Sequence, residues 1–174
     1  CYAALRTVSQ MAHVVGMDEE SGEFLAEAEA LKKAIKTHLY NPGNGLYYLN
    51  IDIDGAAHSD VTSDLVFPVM FGVASSDTAA RIVRRLSDND FWTAAGIRTV
   101  SRNAIDYDPN GSNAGPYGLL GGVWVGVSFW FAFAAADYSP EFMDHALSAS
   151  FRNYSMDPRR YNTVPGQFSE WLHG

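Results

Sequence analysis

Cysteine and basic residues are scarce in this sequence. Cys1 is the only cysteine among 174 residues, which excludes an internal disulfide and a thiolate-rich metal site. Lysine and arginine together number 12, against 20 aspartates and glutamates, and the formal net charge is −8. Proteins that bind nucleic acids normally need clustered basic side chains to displace counterions from phosphates. We therefore expect no nucleic-acid partner.

Sequence patterns for metals and cofactors are also missing. The five histidines do not fall at the spacing of metal ligands on one helix face. Residues 50–55 imitate the start of a calcium-binding EF-hand loop, but Val61 stands where the closing glutamate is required. The glycine-rich stretch 110–122 lacks the Gly-Lys-Ser/Thr ending of a phosphate-binding loop. We predict neither a metal nor a cofactor.

One apolar run, residues 118–136, carries no charge and approaches the roughly 20 residues that a membrane span needs. Gly121 and Gly122 interrupt the run near its start, and no cluster of Lys or Arg flanks it. We predict a buried helix here and no membrane partner. The chain starts at Cys1 without a methionine or a signal-peptide pattern, so we expect its natural N-terminus to lie upstream.

Apolar residues recur at helical spacing in six segments, which short and long connectors join alternately. The predicted helices cover residues 3–15, 20–40, 60–71, 75–86, 122–136 and 140–151. Each successive pair has a short connector and is therefore expected to form an antiparallel helical hairpin. The first long connector contains a predicted β-hairpin, with a strand at residues 46–49 and a turn at 52–55. The sequence thus predicts three repeats of one helical hairpin.

The first helix of each pair is the more apolar, which predicts that helices one, three and five form an inner layer and that the long connectors share one end. Three hairpins do not close a ring, so the inner helices would be exposed unless further chain or a partner covers them. We predict an all-α fold in which residues 1–174 form a single domain, an incomplete half of a larger α/α toroid. An α-solenoid or a compact six-helix bundle is the alternative.

The long connectors hold the candidate substrate-binding side chains. Aromatic rings stack on the apolar face of a sugar, and a guanidinium group donates paired hydrogen bonds. The candidates are Trp92, Arg98, Tyr107, Trp124 and Gln167. In the structural alternative, Arg98 pairs with an acid to hold a loop and Trp124 belongs to the core.

Glu170 lies on the third long connector, in a stretch with few charges. Glycoside hydrolysis needs two carboxylates: one protonates the leaving oxygen, and the other activates water or attacks the sugar. Glu170 is a candidate for one of the two. The alternative is an acid near the start of a following helix, where it would interact favourably with the helix dipole.

Four stretches of the long connectors occur in an order that is similar to a known pattern: Gly-Ile-Arg-Thr-Val-Ser at 96–101, Tyr-Asp-Pro at 107–109, Gly-Gly-Val-Trp at 121–124, and the glutamate-bearing segment 168–174. They resemble the motifs of the glucoamylase-like (α/α)6 six-hairpin glycosidases, particularly the amylo-α-1,6-glucosidase (glycogen-debranching) and mannosyl-oligosaccharide glucosidase groups. The resemblance covers most of the chain. It breaks after Trp124, where the family often has Pro-Trp and this chain has Val125-Gly126, so substrate preference stays open.

The resemblance implies a glycoside hydrolase that acts by inversion on an oligosaccharide or α-glucan-type substrate, with Glu170 as the general base. The catalytic acid is then expected on a loop upstream of Cys1. The chain alone is expected to be inactive and to need the remainder of the toroid, supplied by missing chain segments or by a partner chain. Asp60 and Asp64 lie near the predicted mouth of the ring but do not match the acid of the family.

Two other functions are compatible with the sequence. A noncatalytic carbohydrate-binding or helical scaffold protein would explain the missing acid and the half-length ring. An α/α-toroid polysaccharide lyase would need a tyrosine or histidine base and basic residues that hold uronic acids. The net charge of −8 disfavours the lyase.

Overall fold

The computed structural model of the chain describes residues 1–110, 118–155, 166–167 and 170–172. Within them, six α-helices form three successive pairs. The helices are α1 (Tyr2–Val14), α2 (Asp18–His38), α3 (Val66–Met70), α4 (Ser76–Leu86), α5 (Val125–Ala135) and α6 (Pro140–Tyr154). Each first helix packs against the second of its pair, and α3 also packs against α5. The predicted helical hairpins are confirmed.

The signals at the helix ends explain why the outer helices form where the sequence predicts them. Acidic residues occupy the first turn of α2, and Lys36 and His38 its last turn, which complements the helix dipole. The Ser75 hydroxyl accepts a hydrogen bond from the backbone N–H of Thr78 and caps α4. Pro140 occupies the first turn of α6, where its missing N–H costs nothing.

Two of the three inner helices, α3 and α5, are shorter than predicted. The expected helix over residues 60–71 becomes a 3-10 turn, Ser63–Leu65, followed by α3. Residues up to Thr62 lie outside the helix, because Thr62 is extended, bridges Val100 and serves as the N-cap of the 3-10 turn. Helix α5 was expected from Gly122 but begins at Val125, because the two residues before it form a strand. Both corrections have the same cause, which is pairing with distant connector residues.

The first long connector folds into two small hairpins instead of the single hairpin predicted. Strand β1 (Tyr40–Asn41) pairs with β2 (Leu46–Tyr47), and β3 (Asn50–Ile51) pairs with β4 (Ala57–His58). In the second turn, Asp52 Oδ1 accepts hydrogen bonds from the N–H groups of Asp54 at 3.0 Å and Ala56 at 2.8 Å. The acidic residues of this segment therefore stabilise a turn.

The core lies between the second and third helix pairs. Ile82, Leu86, Phe91 and Phe131 are fully buried in one apolar cluster, and the rings of Phe67 on α3 and Trp130 on α5 are 5.2 Å apart. Large apolar side chains nevertheless remain exposed on α1 and α5 and directly after α3. They include Val8, Met11, Val14, Phe71, Trp130 and Phe133.

The apolar run that resembles a membrane span is mostly helix α5, which has 11 residues. In the part of the chain that the structure describes, no helix combines the length and apolarity needed to cross a bilayer.

Candidate functional site

Backbone pairing brings together connectors that are far apart in the sequence. Strand β5 (Trp92–Thr93) forms a hairpin with β6 (Gly96–Ile97). Arg98, directly after β6, bridges Val123 in β7 (Val123–Trp124). Strand β7 also pairs with β8 (Trp171–Leu172). The Arg98–Val123 bridge therefore joins the two strand pairs beside the N-terminus of α5. Trp124 pairs with Trp171, which Glu170 directly precedes.

Thr99 joins the two ends of its own long connector and links them to the first long connector. Its hydroxyl donates a hydrogen bond to the carbonyl of Leu119 at 2.7 Å and accepts one from the N–H of Gly121 at 2.8 Å. Its N–H donates to the carbonyl of Gly122 at 3.0 Å, and its carbonyl accepts from the N–H of Ser63 at 2.8 Å. One threonine thus fixes the approach to α5 and the start of α3.

Gly121 and Gly122 allow this close packing. A Cβ at Gly122 would lie 2.5 Å from the Cα and carbonyl oxygen of Gly118, and neither is a flexible side chain that can move away. Gly121 has a φ of +123° and lies against the ring of Tyr107. Tyr107, one of the predicted binding residues, therefore packs over this turn.

Replacing Gly122 with alanine is expected to destabilise the protein by about 2 kcal/mol, because overpacking a tight contact typically costs about 1 to 3 kcal/mol. Urea denaturation measures this difference. The control is Gly22→Ala in α2, where an added Cβ meets no atom within 4 Å; alanine there is expected to stabilise by up to about 1 kcal/mol. Equal stability of Gly122→Ala and the wild type would contradict the packing account.

A partly buried ion pair supports the far side of the connector. The guanidinium of Arg85 donates two hydrogen bonds to the carboxylate of Asp90, at 3.0 and 2.9 Å, and the hydroxyl of Ser101 donates a third. The hydrogen bonds from Arg85 hold the pKa of Asp90 below its usual range, more than burial raises it, and the bond from Ser101 acts in the same direction. This group therefore fixes the C-terminal end of the 96–101 stretch.

Trp92 and Arg98, two of the predicted binding residues, make hydrogen bonds that fix the loop. Arg98 Nη1 donates to the carbonyl of Trp92 at 2.7 Å, and Trp92 Nε1 donates to the carbonyl of Leu86 at 2.8 Å. The indole of Trp92 packs edge-on against the rings of Phe131 and His145, with centroids 5.2 and 4.8 Å away. Neither side chain lines the depressions around Glu170 and Asp64.

Two depressions meet at Trp124, whose indole Nε1 donates to the carbonyl of Gly118 at 2.9 Å. The Asp64 depression, of about 230 Å³, is lined by Thr62, Ser63, Asp64, Thr99, Val100, Leu119, Trp124 and Val127. The Glu170 depression, of about 450 Å³, is lined by Trp124, Val125, Gly126, Val127, Phe129, Trp130 and Glu170. Each depression has one carboxylate, and Trp124 and Val127 line both.

Glu170 is exposed, directly before β8, and shares its depression with the first three residues of α5. The N–H groups of a first helical turn have no carbonyl partner within the helix, and no side chain of the cap residue Trp124 accepts from them. The Glu170 carboxylate and the first turn of α5 therefore border one concave surface. This arrangement suits a ligand rich in hydroxyl groups.

The other predicted residues lie at different places. Gln167 is exposed and does not line either depression. Asp60 is exposed on the connector before α3, whereas Asp64 accepts a 3.4 Å hydrogen bond from the hydroxyl of Thr62 at the edge of its depression. Of the glutamate-bearing segment 168–174, residues 168, 169, 173 and 174 lie outside the described part of the chain. Among the described residues, no three His, Cys, Asp or Glu side chains converge as metal ligands.

A larger groove of about 470 Å³ lies between α1 and α3 and shares Thr62 and Asp64 with the Asp64 depression. Aliphatic and aromatic side chains such as Ile35, Leu39, Phe67 and Phe71 form most of its wall, and Asp64 is the only acidic side chain among the described residues that line it. A glycosidase needs carboxylates and hydrogen-bond donors around the bond to be cleaved. Each of the two spaces has one carboxylate in a mostly apolar lining, and the carboxylate of the Glu170 depression is the one that the sequence motifs predict as the base.

The sequence does not indicate the contacts of Thr99 or the Arg85–Asp90 pair. Thr99 stands within the 96–101 stretch, but nothing in its local pattern indicates that it bonds to residues 119–122 and to Ser63. Arg85 and Asp90 flank the end of α4, where an arginine is expected for its favourable interaction with the helix dipole. Such a signal does not reveal a bidentate pair.

Comparison with known proteins adds to this geometry. The sequence matches the model of the mannosylglycerate hydrolase MGH1-like glycoside hydrolase domain over residues 1–171. Comparison with curated protein sequences gives no match. The narrower amylo-α-1,6-glucosidase resemblance stays a prediction.

Several solved structures share the fold. The GH63 mannosylglycerate hydrolase from Thermus thermophilus, in complex with glucose, superposes with a TM-score of 0.63 and 18% identity, over 97% of this chain and 42% of that one. A sialidase superposes with a TM-score of 0.71 and 16% identity, over 98% of this chain and 16% of that one. An uncharacterized conserved protein, also from Thermus thermophilus, gives 0.62 and 17%, over 97% and 41%.

At this identity the superpositions show the fold alone, and the chain spans less than half the length of each of these structures. The three helical hairpins therefore have the fold of part of an α/α-toroid glycosidase. The family match extends over nearly the whole sequence. The chain belongs to the MGH1-like glycoside hydrolase domain family.

Proposed function

We propose that the protein containing this chain hydrolyses a glycosidic bond of an oligosaccharide or α-glucan-type substrate by inversion, with Glu170 as the general base. The observation that carries the proposal is the position of Glu170. Pairing of β7 with β8 puts this exposed carboxylate in the same depression as Trp124 and the first turn of α5. Membership of a glycoside hydrolase family supports the same chemistry.

In the proposed reaction, the Glu170 carboxylate accepts a proton from a water molecule as the oxygen of that water attacks the anomeric carbon. A second carboxyl group donates a proton to the leaving oxygen, and in inverting enzymes the two groups stand about 6.5 to 9.5 Å apart. We propose that this acid lies on a loop that precedes α1 in the full-length protein. The present chain alone would then bind sugar weakly and have no turnover.

The sugar would be held by stacking and by directional hydrogen bonds. Trp124 borders both depressions and is placed to contact the sugar rings on either side of the scissile bond. Asp64 and Thr99 would accept or donate hydrogen bonds in the Asp64 depression. Asp64 orients substrate in this proposal and does not act as the acid.

The remaining predicted residues support the site. Arg98 and Trp92 keep the loop after β5 in place through the bonds described above, and Tyr107 packs over the turn at Gly121. We propose that these three side chains affect sugar binding indirectly, because they position the backbone of the loops around the site. Gln167 precedes Glu170 on the same connector and is proposed to contact the substrate at the exposed rim.

Proton NMR of the products formed by the full-length protein tests the reaction type. The expected result is a new reducing end whose first-formed anomer is opposite to that of the substrate, because a single displacement by water inverts the anomeric carbon. Retained configuration would contradict the role of Glu170 as base. An unsaturated product would indicate a lyase, and binding without any product would indicate a carbohydrate-binding protein.

A further inference from the structure

Gly126, the second residue of α5, has none of the usual structural reasons to be glycine. Glycine inside a helix is less favourable than alanine by up to about 1 kcal/mol. The backbone of Gly126 does not have a positive φ, and a Cβ added there would meet no atom within 4 Å. Neither backbone strain nor close packing therefore explains the missing side chain.

Gly126 forms part of the floor of the Glu170 depression. Gly126 and Trp130 are four residues apart and so lie on the same face of α5. Trp130 is 41% exposed and borders the same depression, and its position is fixed by the ring of Phe67 at 5.2 Å. A bulky side chain at residue 126 would fill this space and cover the exposed indole.

The chemistry of the floor favours an uncharged ring. Trp124, Phe129 and Trp130 give the depression an aromatic wall, and an aromatic face stacks well on the C–H surface of a pyranose. Among the described residues that line the depression, Glu170 is the only charged one. An anionic sugar would be repelled by Glu170 with no cation from this lining to offset the repulsion.

We propose that Gly126 determines substrate specificity by leaving room for a neutral hexopyranose ring that rests on Trp130 beside Glu170. This inference rests on the proposed function, since it names the class of sugar that the Glu170 depression accepts. Its test includes a binding measurement, which does not require turnover.

The experiment compares Gly126→Phe with the wild-type full-length protein. Binding of D-glucose and D-mannose is followed by tryptophan fluorescence, and KM and kcat are measured on gluco- and manno-disaccharides. The expected result is an affinity for the better-bound sugar at least tenfold weaker, a correspondingly raised KM, little change in kcat and an unchanged Tm. Gly126→Ala should give a smaller loss in the same direction. D-glucuronate should bind the wild type at least tenfold more weakly than D-glucose.

Gly22→Phe in α2 is the matched control, because Gly22 is also an exposed helical glycine with no atom within 4 Å of an added Cβ. It is expected to leave binding, KM and Tm unchanged. A lowered Tm in Gly126→Phe would overturn the proposal, since it would show that another part of the protein fills the space. Unchanged sugar affinity, or tighter binding of D-glucuronate than of D-glucose, would overturn it as well.

The measurements distinguish failure of the proposed hydrolase function from failure of the proposed role of Gly126. If the wild-type protein binds hexoses without hydrolysing any disaccharide, the hydrolase is wrong, and weaker binding by Gly126→Phe still supports the role of Gly126. If disaccharides are hydrolysed and Gly126→Phe matches the wild type in KM and affinity, the hydrolase stands and the role of Gly126 is wrong.

Discussion

Glu170→Gln is expected to lower the kcat of the full-length protein by about a thousandfold while leaving its Tm unchanged. A positioned general base typically contributes about 10² to 10⁴ in rate. Glutamine keeps the size of the side chain but cannot accept the proton of the attacking water. The carboxylate is exposed, so its loss should not disturb the packing. Steady-state kinetics on the best disaccharide substrate, with thermal unfolding of the same samples, measures both quantities.

The matched control for this variant is Glu23→Gln, which makes the same chemical change at an exposed position in α2. Its kcat is expected to equal that of the wild type. The KM of Glu170→Gln should change little, because the side chain binds the water rather than the sugar. Turnover within a few fold of the wild type in Glu170→Gln would remove this residue from the catalytic pair.

The sequence predicts most helices well because their signals are local. Helix α2 has an apolar stripe and charges suited to its ends, and α4 has a serine cap; their predicted and observed bounds differ by a few residues at most. The predicted starts of α3 and α5 were wrong because the residues before them pair with distant strands. The sequence predicts Val123 and Trp124 at the start of an apolar helix, but in the structure they pair with Leu172 and Trp171.

The candidate site shows the same division. The sequence indicates which side chains lie on long connectors, but it does not show which of them share a surface. Trp124 and Glu170 share a depression, whereas Arg98 donates a hydrogen bond to the carbonyl of Trp92 and Trp92 donates one to the carbonyl of Leu86 at the end of α4. Backbone pairing across the connectors decides this, and such pairing depends on contacts between residues far apart in the chain. The roles of these side chains in catalysis and binding stay predictions.

Asp90→Asn is expected to destabilise the full-length protein by about 3 kcal/mol at pH 7. Removing one partner of a buried ion pair leaves the other charge uncompensated and typically costs about 3 to 5 kcal/mol. Asp90 is 9% exposed, while the side chain of Arg85 is 30% exposed, so water offsets part of the loss. Urea denaturation at pH 7 gives the difference in unfolding free energy.

Asp88→Asn is the matched control, because Asp88 also accepts a hydrogen bond from Arg85, at 3.1 Å, but its side chain is 58% exposed. Exposed pairs contribute about 0 to 1 kcal/mol, so this variant should lie close to the wild type. If the two variants are equally stable, burial is not what makes the Asp90 pair strong, and the proposed support of the 96–101 stretch loses its basis.

The same ion pair predicts how stability depends on pH. The pKa of Asp90 is lowered in the folded state, mainly by the hydrogen bonds from Arg85, so between the folded and unfolded pKa values the unfolded chain binds more protons. Stability therefore rises with pH in that interval. The advantage of the wild type over Asp90→Asn should be constant from pH 7 down to about 4, near the ordinary aspartate pKa, and should shrink below it. An advantage that persists undiminished well below that range would show that the neutral side chain already provides the support, and the charge of Asp90 would then have no part in holding the loop.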